Sequence, residues 1–136
     1  MPQVFTGKVV IPGDQIETYF QAVAAAEEAR RPFRQYLDGV RAEFEQSLAA
    51  RYRQRTARKH AGVIELFIHF LCDYTDVAAL EDVTRGMANS AFRQWYKRKV
   101  VSATDSDDLR VALKKFFQFL DAEKGIHNAK VLDSLR

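Results

Sequence analysis

RTARKHAGVIELFIHFLCDY, residues 55–74, is the stretch that decides the fold. Val63, Ile64, Leu66, Phe67, Ile68, Phe70 and Leu71 are apolar on more than one face of a 3.6-residue period, so the spacing predicts a helix from about Arg55 to Tyr74 that is buried on several sides. A helix of that kind needs others around it. The rest of the chain must supply them.

Working outward, Pro32 suits the first position of a helix, and Phe33, Tyr36, Leu37, Val40, Phe44 and Leu48 recur at three- and four-residue spacing behind it. Before it, Asp14 followed by Glu17 has the form of a helix start, giving a first helix through about Arg30. On the other side, Asp76 to Asp82 reads as a connection, and Thr84 caps a helix to about Val100 whose apolar contacts are Met87, Ala91, Phe92, Trp95 and Tyr96. Ser102 to Ser106 is a polar break, with Asp105 or Ser106 as the next cap. Leu109, Leu113, Phe116, Phe117 and Leu120 then form one stripe that stops at Gly125, a good left-handed terminator. A short helix from about Ala129 to Leu135 closes the chain. Val4 to Ile11, β-branched and closed by Pro12-Gly13, reads as a strand or extended arm that needs a partner, such as a second copy of itself. The expectation is an all-α bundle of four to five helices with a short N-terminal arm.

The 136 residues, 47% hydrophobic and 29% charged, fit one domain with its own core rather than a disordered chain. No apolar run approaches the roughly 18 residues of a membrane span, and the N-terminus lacks the layout of a secretory signal, which places the protein in the cytoplasm. Cys72 is the only cysteine, so neither an intramolecular disulfide nor a cysteine-rich zinc site is available, and a buried thiol is expected.

The net charge is only +3, but residues 51–100 carry 10 basic and 5 acidic side chains and hold the whole excess. Most of it lies in Arg51, Arg53, Arg55, Arg58 and Lys59, with a second group at Arg93, Lys97, Arg98 and Lys99. Cations in the first turn of a helix oppose its dipole by a few tenths to about 1 kcal/mol each. A docking phosphate reverses that sign, because free amides and cationic side chains then point at one anion. Solvation, or pairing with carboxylates of neighbouring helices, accounts for the same cluster without a ligand. The second group ends a helix, where cations suit the dipole. Asp105, Asp107 and Asp108 suit a helix start for the converse reason, and no calcium-loop spacing accompanies them. Trp95 and Tyr96 read as core rather than as a base-stacking platform.

From Pro32 onward, the order of elements resembles the SAM-like core-binding domain of tyrosine recombinases, the phage integrase family. Thr56, His60, Ile64, Phe67, Phe70 and Leu71 fall at the spacing of that family's second helix. Leu80, Val83, Thr84 and Phe92 resemble its next loop and helix, and Leu113, Phe116, Phe117, Phe119, Leu120 and Gly125-Ile126 its last. The resemblance implies a division into residues 1–31, an arm and first helix, and 32–136, the SAM-like domain. It also implies half of a clamp on duplex DNA, with Arg55, Thr56, Lys59 and His60 facing the DNA from one helix and Arg110 and Lys114 from another. This sequence departs from the family at Arg53, which replaces a usual capping Ser, at the acidic trio, and at Ala129, where relatives often carry Pro. The family's catalytic Tyr, Arg, Lys and His belong to a later domain that these residues do not include.

No Gly-rich phosphate loop, nucleophile elbow or zinc-binding His-Glu helix is present. His60, His69 and His127 have no ligand spacing, and His69, inside the apolar helix, reads as a packed, hydrogen-bonded ring. The expectation is a non-enzymatic module with no cofactor, metal, membrane or small-molecule partner, whose ligand is duplex DNA held at Arg51, Arg53, Arg55, Thr56, Arg58, Lys59, His60, Arg110 and Lys114. The alternative is a protein-interaction or dimerisation module that has lost DNA binding, with a homodimer through Val4 to Ile11.

Overall fold

Ten of the 21 residues of the helix Gln54–Tyr74 are buried, and its exposed residues Arg58, Glu65 and His69 fall on one face. The computed structural model describes residues 13–99 and 106–135. In chain order its helices are α1 (Ile16–Ala49), α2 (Gln54–Tyr74), α3 (Phe92–Lys99), α4 (Ser106–Glu123) and α5 (Ala129–Ser134). No strand occurs among the described residues, and the fold is the expected all-α bundle. The arm predicted at residues 4–11 and the cap predicted at Asp105 lie outside them.

Aromatic rings join the layers. Phe67 of α2 meets Phe92 of α3 edge-on at 5.1 Å and Phe117 of α4 at 6.2 Å, while Phe44 of α1 meets Phe116 of α4 at 5.2 Å. Phe44, Phe67, Phe92, Phe116 and Phe117 are all essentially inaccessible to solvent. Truncating a ring in such a site costs about 3–5 kcal/mol, so these few contacts dominate the packing energy. The predicted stripe Leu109, Leu113, Phe116, Phe117 and Leu120 is buried throughout. Trp95 and Tyr96 are core, as their spacing suggested, and Cys72 is a buried thiol that burial holds above its ordinary pKa.

The helix break expected at Pro32 does not occur. Residues 16–49 form one helix with Pro32 inside it, although an interior proline removes a backbone bond and costs about 3 kcal/mol. Long-range contacts on both sides of the proline hold the axis. Arg30 donates to the carbonyls of Leu71 (3.0 Å), Cys72 (3.4 Å) and Thr75 (3.4 Å), closing the carboxyl end of α2. One turn later Arg34 binds Asp73 at 2.7 Å. The same carboxylate takes His69 at 2.8 Å, and that ring is half-exposed rather than packed inside the helix as expected.

Thr84 caps as predicted, its hydroxyl accepting from the Met87 amide at 3.2 Å. A π-helical turn, Met87–Ala91, then leads into α3. With more than four residues in that turn, Ala88 lines up above Phe92 and is buried, whereas Ala91, expected in the core, is turned outward. Gly125 ends α4 at φ 65°, and Asn128 starts α5. Buried Asn128 accepts from the Val131 amide and donates to the carbonyls of Leu80 and Val83, each at 3.0 Å, so one side chain ties α5 to the 3₁₀ turn Leu80–Asp82.

Asn128→Ala removes that cap and takes one donor from each of the Leu80 and Val83 carbonyls. It should lower the unfolding free energy by about 2–4 kcal/mol, measured by urea denaturation.

Candidate nucleic-acid interface

The connection from α1 to α2 is a tight turn. The amides of Arg51 and Tyr52 both donate to the Leu48 carbonyl, at 3.0 and 2.8 Å. Arg53 is then extended (φ −62°, ψ 149°), and its carbonyl accepts the first α2 bond, from Ala57 at 3.0 Å. An arginine at this position offers no acceptor, so no side chain caps the amides of the first turn, and that turn holds no acidic residue. A folding requirement alone would favour Ser or Asp at residue 53 and a carboxylate just after it.

Arg51, Arg53, Arg55 and Arg58 are exposed, and none of them pairs with a carboxylate of the described residues. Arg55, Arg58 and Lys59 sit at i, i+3 and i+4, so they share one side of α2. Lys59 is the exception in charge balance, since Asp108 of α4 binds it at 3.1 Å. Thr56 is half-buried beside them.

Three expected contacts are engaged elsewhere or stand apart from this cluster. His60 is buried, with no hydrogen-bond partner at Nδ1. Burial, reinforced by Lys115 and Lys59, lowers its pKa from 6.5, so the ring is held neutral. Arg110 reaches back to the Leu135 carbonyl at 3.2 Å and closes α5. Lys114 is half-buried, and no hydrogen bond or ion pair ties it to α2 among the described residues.

Lys115 takes its place. Its ammonium donates to the Tyr52 hydroxyl at 2.9 Å and lies 4.5 Å from the centre of that ring. The hydrogen bond from Lys115 holds the exposed Tyr52 phenol below its ordinary pKa. The result is an amphipathic ring and a fifth cation next to the arginine cluster. Two signals in the sequence point to this pair: an aromatic residue between Arg51 and Arg53, and Lys115 seven residues beyond Asp108 on the same helical face.

Residues 32–124 match the model of the phage integrase N-terminal SAM-like domain. The chain belongs to that family. The match starts at Pro32, in the middle of α1, and ends within the turn after α4. It concerns the integrase N-terminal domain only. No curated protein and no solved structure matches the chain. Among the described residues no group of three or more His, Cys, Asp or Glu is placed to hold a metal ion, and no helix is long and apolar enough to cross a membrane.

His60 gives the integrase-type domain an acid sensitivity. Its pKa is 6.5 unfolded and lower when folded, so the unfolded chain binds more protons between the two values. Its contribution is complete above about pH 6.5 and is lost as the pH falls through the folded value. His60→Leu should therefore show a smaller loss of unfolding free energy between about pH 7.5 and pH 5 than the parent, measured by urea melts at both.

Proposed function

We propose that this integrase-family domain is a DNA-binding module that grips the phosphate backbone of duplex DNA at the amino end of α2, with no catalytic role of its own. The observation that carries the reading is the combination of four exposed arginines, Arg51, Arg53, Arg55 and Arg58, with an uncapped helix start. Free amides and guanidinium forks aimed at the same region are the features that hold a phosphate. Nothing else in the fold asks for that arrangement. Family membership supports it independently, because integrases act on DNA.

Such contacts are mostly sequence-neutral, so the domain supplies grip and orientation more than base choice. Thr56 and the Tyr52–Lys115 pair extend the surface from α2 toward α4. Lys59 is weaker as a contact because Asp108 already neutralises it. His60 and Arg110 serve the fold. In this reading a further domain or subunit performs any strand cleavage.

A second reading, docking to another protein, draws on the amino half of α1. Ala26 is the only buried residue there before Leu37, and Phe20 and Ile16 are 64% and 45% exposed. This half of α1 lies far along the helix from the arginine cluster, so the two readings are compatible.

Fluorescence anisotropy with a short duplex across a salt series tests the DNA reading. About four phosphate contacts predict that log K falls with log salt at a slope near −3 to −4. Arg55→Glu combined with Arg58→Glu should abolish binding while circular dichroism stays unchanged. Absence of duplex binding by the parent at low salt would leave protein docking as the function.

A further inference from the structure

The other end of α2 carries a second concave surface that the duplex reading does not use. A groove of about 870 Å³ lies between α1, the last turn of α2 and α3. Its chemistry differs from that of the arginine cluster. Two partly exposed rings, His69 and Tyr74, stand 6.2 Å apart, and each packs on Trp95, at 5.7 and 5.6 Å. Trp95 itself is 4% exposed and forms the floor. Arg98 and Lys99 line the groove from the end of α3, and Arg31, which pairs with Glu28 at 2.8 Å, lines it from α1.

Charge in the groove is positive because five cations, Arg30, Arg31, Arg34, Arg98 and Lys99, outnumber two acids, Glu27 and Asp73. Asp73 binds both Arg34 (2.7 Å) and His69 (2.8 Å). Arg98 and Lys99 are exposed and have no carboxylate partner among the described residues. The site thus sets free cations beside aromatic rings that still show surface to solvent.

From this geometry we infer that the groove binds a short stretch of single-stranded nucleic acid, with a base against Tyr74 and His69 and adjacent phosphates on Arg98, Lys99 and Arg31. Rings beside cations match a ligand that alternates flat π-faces with anions. A duplex keeps its bases stacked inside and has no face to offer these rings. An acidic peptide would satisfy the cations but leave both rings without partners. The groove lies roughly 20–30 Å along α2 from Arg55, so the two sites are separable.

The test uses an oligothymidylate of about eight residues, a length within the range that one single-strand site covers. Trp95 is the only tryptophan, so the emission reports on the surroundings of this one ring. The oligonucleotide should quench that emission on binding. Arg98→Glu with Lys99→Glu should weaken binding about tenfold or more, both substitutions being at exposed positions that do not endanger the fold. Tyr74→Phe should bind like the parent and Tyr74→Leu about fivefold or more weakly. Arg55→Glu with Arg58→Glu should leave oligothymidylate binding unchanged whatever it does to the duplex, so failure here and failure of the duplex reading are distinct results. Failure to bind, unchanged Trp95 emission at saturation, or equal affinity of the Arg98/Lys99 variant would overturn the proposal. Equally tight binding of poly-glutamate with the same quenching would overturn it in favour of an acidic protein segment.

Discussion

Phe67 must be kept from water on every side, and the architecture follows from that constraint. Its ring lies between Phe92 of α3 and Phe117 of α4, with Phe70 stacked beside it, while α1 packs along another face of the same helix. Aromatic burial of this kind outweighs any single surface interaction several-fold. Between its ends α2 shows solvent one face, at Arg58, Glu65 and His69, and its unpaired backbone groups lie at the two ends.

Those ends are treated in opposite ways. At the carboxyl end Arg30 closes the last carbonyls and Arg34 neutralises Asp73, so the terminus is satisfied within the molecule. At the amino end an arginine occupies the capping position and further arginines follow, which opposes the helix dipole. The cost is at most a few kcal/mol in all, and one buried ring more than covers it. A stable core therefore permits an amino end that is unfavourable alone and favourable against a polyanion.

The parts of this design set by periodicity were legible in the residues. Residues 55–74 read as a multi-face apolar helix and 109–120 as a one-face stripe, and both are so. The capping hydroxyl of Thr84 and the left-handed Gly125 were equally local signals. What escaped was set by contacts between distant residues. Pro32 reads as a helix start, yet the helix continues through it, with Arg30 and Arg34 tied to partners about forty residues away on α2. Asn128 stands just before the predicted last helix, and its grip on Leu80 and Val83 appears only in three dimensions. His60 and His69 exchange roles for a similar reason. The face of α2 that each ring occupies depends on where α4 and α1 lie. For the candidate site, the arginines were visible as a charge run, whereas the local signals at Tyr52 and Lys115 became a pair only where α4 meets the α1–α2 turn.

The central claim is that the first-turn amides of α2, together with the arginines around them, receive a phosphate. Titration of short duplex DNA into ¹⁵N-labelled protein, followed by two-dimensional NMR, addresses it directly. The account predicts that the amides of Gln54, Arg55 and Thr56 shift most, along with the arginine side-chain signals of residues 51–58. Saturating shifts confined to other surfaces, with those three amides unmoved, would contradict it.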